Sequence, residues 1–428
     1  EQVLAAVTAA QGDGDGWISA WIGPLVARDR RNWRAALDQA SPRRPVLLRA
    51  FWGHTSIVNS AALRKLGIGE DVADPIGGWW GRDPAGRLDG RVYESAEDIE
   101  TRAVPPSAQA LSGDYGSAAK QFAQWGVTAI HLMNTNVPLR TTLEALRPLQ
   151  TGPKWTVYTW AGPVRRVEEP WQSMAASATD APPHVRVEGP KWMLDGTGLE
   201  QNALLRQSYP GRPGWNGRSN VTDEQLREIL RRGLASPHQL ALHAVGDGQI
   251  DRLLAMMQEL APDETWRGKR VRLEHGDGLR ADKLAVAAKL GLVVVQNPTH
   301  LPPPQPGRTI PYALMSGLLQ GGVALALGSD GGPQEWNPFF NMMLATTYRA
   351  APEQALTREQ ALLAYTSGGA YASRLERQTG RLAPGFAADL AVLSQDVLQV
   401  PAQALPATRS LLTLVDGVVI HEAPELSR

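Results

Sequence analysis

Apolar positions recur at helical spacing from the first residues, so the chain opens inside a helix over Glu1–Ala10. From about Gly126 a different rhythm takes over, in which short apolar runs alternate with polar corners and amphipathic helical stretches. The strand-like runs are Val127–Met133, Lys154–Trp160, Val185–Leu194, Leu240–His243, Val271–His275, Leu292–Gln296 and Val323–Leu327. Helical patterns such as Asp223–Leu234, Gln249–Leu260 and Ala281–Leu290 lie between most of them. Apolar runs separated by helices predict a parallel sheet. Seven such runs in 428 residues suit an α/β TIM-type (β/α)8 barrel whose first strand is missing better than an open doubly wound sheet. No Gly-rich phosphate loop follows any run, which argues against a dinucleotide fold.

The flanking segments break this rhythm. Pro45–Phe51 reads as one strand, followed by Gly-His-Thr-Ser and a helix from near Asn59, and Gly77–Gly90 as a Gly- and Trp-rich loop or hairpin. These predict an insertion at about 40–100 lying over one end of a barrel unit that spans 1–379. The Pro-rich stretch Leu301–Pro311 is expected to be a stiff pocket wall. From Gly380 the pattern changes to short strands at Asp389–Leu393, Leu411–Val415 and Val418–His421, with Asp416-Gly417 as a two-residue hairpin turn. Residues 380–428 therefore read as the C-terminal part of a small accessory β-sandwich. The Gly12-Asp13-Gly14-Asp15-Gly16 run lacks the remaining ligands of a calcium loop and reads as a flexible turn.

Composition narrows the function classes. Lys and Arg number 43 and Asp and Glu 43, so there is no basic excess to recruit nucleic acid or an anionic membrane. No apolar run approaches the ~20 residues needed to cross a bilayer. With no cysteine, any metal must sit on His, Asp, Glu or a modified Lys. The expectation is a cytoplasmic protein acting on a small molecule, with a homo-oligomer left open. The chain starts at Glu1 without Met or a signal-peptide pattern, and is expected to be processed or part of a longer protein.

In a parallel barrel, side chains at the C-terminal strand ends converge on the active site. Those ends carry Lys191 and Asp195, His243 and Asp247, Glu274, His275 and Asp277, Asn297 and His300, and Asp330. A lone His at a strand end is more often a hydrogen-bonded rim residue than a ligand. Two His and one Asp on near-successive strands are the standard donors of catalytic Zn²⁺ where thiolates are absent. Lys191, enclosed in the barrel, must lose its charge, find a partner or be modified.

The segments Gly-His-Thr-Ser-Ile-Val-Asn-Ser-Ala-Ala-Leu (53–63), Gly-Val-Thr-Ala-Ile (126–130), Lys-Trp-Met-Leu-Asp-Gly-Thr (191–197), His-Ala-Val-Gly-Asp (243–247), Glu-His-Gly-Asp (274–277), Ser-Asp (329–330) and Gly-Arg-Leu-Ala-Pro-Gly-Phe-Ala-Ala-Asp-Leu-Ala-Val-Leu (380–393) run in one order across nearly the whole chain. In these segments the chain resembles the amidohydrolase superfamily, in the amidohydrolase-3 branch that includes YtcJ-like proteins and N-substituted formamide deformylase. The resemblance implies one or two divalent metal ions, zinc foremost, held by Lys191 as a carboxylated bridge, by His243 and His275, and by Asp330. It implies hydrolysis of an amide C–N bond by metal-activated water, with Asp330 moving the proton. A carboxylated Lys191 also resolves its buried charge. The family's His-x-His pair is absent: the eight histidines are 54, 131, 184, 238, 243, 275, 300 and 421. That departure keeps two other readings open, a non-catalytic relative that binds a ligand and one part of a split enzyme. His300 is a candidate to polarise a carbonyl and His54 to touch substrate, while His131 reads as structural. Trp80, Trp160, Trp192 and Trp336 are candidates for an aromatic wall, although core packing is the stronger reading for each alone.

Overall fold

The computed structural model describes residues 1–10, 16–133, 136–301 and 313–426. Most of the Gly12–Gly16 run and of the Pro-rich stretch 301–311 lies outside the described residues. Two sheets carry the functional geometry. The first is five-stranded, with β1 (Ile18–Ile22), β2 (Val46–Ala50), β3 (Thr55–Val58), β4 (Gly78–Arg82) and β5 (Leu88–Glu94) in the order β1-β2-β3-β5-β4. Only β1 and β2 are parallel in it. The predicted strand at Pro45–Phe51 and the hairpin at Gly77–Gly90 are present. β1 and β3 escaped the sequence pattern, because Ile-Ser-Ala-Trp-Ile exposes its middle three residues and β3 is four residues, all buried. Neither shows the alternation that marks a half-buried strand.

The second sheet holds β6 (Ala129–Met133), β7 (Lys154–Trp160), β8 (Val185–Met193), β9 (Ala241–Ala244), β10 (Arg272–His275), β11 (Val293–Gln296) and β12 (Ala324–Leu327). All neighbours are parallel, and spatial order follows chain order from β6 to β12. The sheet is curled. Arg272 of β10 and His131 of β6 lie four strands apart, about 19 Å in a flat sheet. Yet Arg272 Nη1 is 3.1 Å from His131 Nδ1 and 3.2 Å from the Tyr158 hydroxyl. Only a sheet rolled towards a barrel brings them together. Among the described residues β6 and β12 are its edges, and β2 pairs within the other sheet. The segments beside those edges are bridged by the Phe122 and Trp336 rings, stacked with centroids 5.3 Å apart.

Outward-facing strand residues pack beneath the helices in one large core that includes Trp192, Leu194, Leu242, Leu273 and Val294. The helix Asp223–Ala235 shows how local chemistry sets an element: Thr222 and Gln225 form a reciprocal capping box, and Leu226, Ile229 and Leu230 bury one stripe. A third, antiparallel sheet of β13 (Leu390–Leu393), β14 (Ser410–Val415) and β15 (Val418–Glu422) ends the chain. Its predicted turn is there, with Asp416 and Gly417 both at positive φ. Val418 and Val419 on the edge strand are exposed. No described helix is long and apolar enough to cross a membrane.

Candidate metal centre

β8 has to turn Lys191 inward. Tyr158 pairs with Glu188 and Thr159 with Pro190, so Gly189 is an extra residue that shifts the register. A Cβ on Gly189 would run into the Gln239 backbone carbonyl, so the bulge requires glycine. Beyond it Trp160 and Lys191 share a register position at the C-terminal end of the sheet. Lys191 is buried, and no hydrogen bond or ion pair is formed by its ammonium among the described residues. Its charge is felt by His54, Glu94, His243, His275 and Asp330, which places all five around one space.

His243 projects from β9 into that space and is fully buried. Neither of its ring nitrogens has a hydrogen-bond partner among the described residues. Burial, then the neighbouring His275, His54 and Lys191, push its pKa well below the ordinary histidine value. It is therefore a neutral imidazole whose Nε2 faces Asp195 Oδ1 at 3.9 Å, with the Gly196 backbone beside the ring, and it is left short of hydrogen bonds, which is costly for a buried group. The His275 ring lies with its centroid 4.6 Å away. The Asn297 side-chain nitrogen is 3.1 Å from His275 Nδ1 and orients that ring. His275 Nε2 is 3.8 Å from Asp330 Oδ2, and His300 Nε2 is 3.9 Å from the same oxygen. Burial lowers the His275 pKa, against the pull of Asp330. For Asp330, burial works upward, but His275, Lys191, His300 and the Gly331 amide outweigh it and hold the carboxyl below its usual range. His275 (φ 70°) and Asp330 (φ 46°) both sit in the left-handed region, where strain gathers at functional sites.

His300 and Asp330 are the accessible members, with side chains 34% and 47% exposed, so they line the mouth while His243 and Lys191 form the floor. Ligand atoms of His275, His300 and Asp330 lie within 4.8 Å of one another, as do those of a second group, His54, Glu94 and Glu200. His54 reaches the space from the five-stranded sheet. Its Nδ1 is 2.9 Å from Glu94 Oε2, and its ring centroid is 5.0 Å from that of His243. Burial, then Glu200, raise the Glu94 pKa well above the ordinary carboxylate value. Glu200 accepts from Trp52 Nε1 at 2.8 Å and from the Thr197 hydroxyl at 2.6 Å. Asp195 holds the floor by accepting the Val245, Gly246 and Leu204 amides.

Glu94, Glu200 and Asn297 were not assigned from sequence. Glu94 ends β5, and Thr197-Gly-Leu-Glu200 has the spacing of a capping motif, so both left a faint signal. The aromatic wall needs correction. Trp192 is 1% exposed in the main core, because side chains alternate along β8 and Lys191 takes the inward position. Trp80 packs with Leu47, Val58 and Val92 in the core of the five-stranded sheet. Trp160 is partly buried at the strand end beside Lys191. Trp336 donates its Nε1–H to the Gly331 carbonyl at 3.0 Å, next to Asp330. His131, held by Arg272, lies inside the barrel as a structural residue.

Comparison with known proteins identifies the family and the fold. The chain is 26% identical over 406 residues to an amidohydrolase, YtcJ, of Bacillus subtilis, covering 90% of this chain and 76% of that one. It is 23% identical over 429 residues to N-substituted formamide deformylase of Arthrobacter pascens, covering 92% and 77%. Its fold superposes on a crystal structure of a metal-dependent hydrolase from Pyrococcus horikoshii with a TM-score of 0.66 at 19% identity, covering 94% of this chain and 81% of that one. The Amidohydrolase family matches residues 1–421, nearly the entire chain, and the protein belongs to that family.

Proposed function

We propose that this member of the family is a metal-dependent amidohydrolase that cleaves an amide-type C–N bond of a small molecule, with N-substituted formamides among its substrates. The observation that carries this reading is the fully buried His243, whose ring nitrogens make no hydrogen bond within 3.5 Å among the described residues, 4.6 Å from the His275 ring. Uncharged imidazoles without thiolates suit Zn²⁺. His243, His275, Asp330 and Lys191 would hold the ion, with Lys191 as its carbamate. Once bound, the cation supplies Lewis-acid chemistry at neutral pH.

The chain's own groups do the rest. Asp330 stays ionised at the mouth, so it accepts a proton from water and returns it to the departing amine nitrogen. His300 faces the same oxygen of Asp330 and is placed to donate to a carbonyl oxygen as charge develops on it. Trp160, beside Lys191, and Trp336, beside Asp330, would take the apolar part of the substrate. The test is amine release from a panel of small amides and N-substituted formamides by the chelated and then Zn²⁺-reconstituted protein. Metal-dependent release that His243→Ala abolishes is expected. Release indifferent to both metal and His243→Ala, or none from any member of the panel, would overturn the proposal.

A further inference from the structure

The five-stranded sheet carries a group of cations that the reaction described above does not use. It is built round Tyr93 of β5, which is 1% exposed and fixed by the Trp79 ring stacked on it with centroids 3.8 Å apart. The Arg30 and Arg91 guanidiniums lie against its hydroxyl oxygen. A guanidinium only donates, so the phenol serves both as acceptor, and its own proton has no acceptor among the described residues. Arg91 commits Nε to Asp89 Oδ2 at 3.0 Å, while its Nη1 is buried without a partner among the described residues. Arg212 completes the group: burial, then Arg30, bring its pKa down to about 10.

Positive charge is in excess here. Among the described residues, the ion pair these arginines form is that of Arg91 with Asp89. Arg212 is left with Gln201 Oε1 at 3.5 Å and the face of the Trp215 ring at 4.6 Å. Two acids are felt at Tyr93, Asp89 and Glu200. Asp89 is held by Arg91, and Glu200 accepts from Trp52 and Thr197. Guanidiniums crowded round one phenol repel one another unless an anion joins them, and their planar forks suit a carboxylate. The position ties the cluster to the reaction. Tyr93 immediately precedes Glu94 and pairs with Thr55, which follows His54. Gln201, which Arg212 reaches, follows Glu200 on the loop that leaves β8. The His54 ring is itself 5.0 Å from that of His243.

We propose that Arg30, Arg91, Arg212 and the Tyr93 hydroxyl bind a carboxylate carried by the substrate, so that the preferred amides are anionic. The five-stranded sheet then anchors the charged end of the substrate while its C–N bond lies at the histidine centre. This names the substrate class of the site described above, and it rests on the hydrolase reading.

The test is kcat/KM for a series of N-formyl ω-amino acids of increasing chain length, each beside its neutral methyl ester, together with a panel of uncharged amides. Wild type should favour the acid over the ester at one chain length or more, mainly through KM, and inorganic phosphate should compete with the acid. Losing a charge-assisted hydrogen bond costs roughly ten- to a hundredfold in kcat/KM, and the preference should shrink by about that factor in R212Q and in R30Q. If acids are cleaved no better than esters at any length, or both variants keep the preference, the carboxylate site is overturned, while the hydrolase reading stands on whichever amides are cleaved. Phosphate that instead speeds ester cleavage would make the cluster an effector site and overturn the substrate assignment. No release from any amide overturns both readings. Arg30 is exposed, so R30Q decides the matter should melting show R212Q to be misfolded.

Discussion

At the scale of single residues, Asp330 and His275 are held in left-handed backbone that a β-strand end does not favour, and each is followed by a glycine at positive φ. This points both side chains at one space instead of along the strand. Asp330→Asn keeps size and one acceptor oxygen but cannot take a proton, so turnover should fall ~10²–10⁴-fold, with metal content retained by elemental analysis. These residues were legible because strand ends in a parallel barrel converge, and Lys191, His243, His275 and Asp330 each end a readable run. Glu94 and Glu200 were not, because their meeting depends on how the first sheet lies on the second, which no local pattern encodes. His131 illustrates a half-buried residue with a pH consequence. Burial, then Arg272 and Arg186, push its pKa from 6.5 down to about 3. Below 6.5 the unfolded chain takes up a proton that the folded chain refuses, so stability falls as pH falls towards 3, by about a kcal/mol per pH unit for this group. Thermal melts from pH 7 to pH 4 should show the decline, and His131→Gln should make it shallower; an unchanged slope would contradict this role.

At the scale of elements, the bulge at Gly189 decides which face of β8 Lys191 occupies. Period-2 alternation read from the sequence separates Lys191 from Trp192, yet it cannot reveal an extra residue two positions earlier. Gly189→Ala should either unfold the protein or displace β8 against β9, and metal affinity by isothermal titration should drop with it. A variant with native melting and native affinity would show the bulge to be incidental. The helix Asp223–Ala235 offers a control away from the site. Thr222→Ala removes the capping box and should cost ~1 kcal/mol in chemical denaturation without altering metal binding.

At the scale of the whole molecule, seven parallel strands curl around a polar interior, and among the described residues β6 and β12 have one partner strand each. The strand count and chain order of that sheet were legible because buried parallel strands are near-continuous apolar runs; of the five-stranded sheet only β2 and the β4–β5 hairpin were, since β1 and β3 are short and lack alternation. Amides of Ala129–Met133 and Ala324–Leu327 should exchange with deuterium faster than those of β9 and β10, whose neighbours lie on both sides. Equal protection would mean that a further strand closes the barrel. The claim on which the functional account depends is that His243 and His275 share one metal ion. It is tested most directly by an anomalous difference map, at the zinc edge, from crystals of the zinc-loaded protein. The account predicts a peak at about 2.0–2.1 Å from a ring nitrogen of each histidine. A map with no peak between those two rings, or with zinc bound only elsewhere, would contradict it.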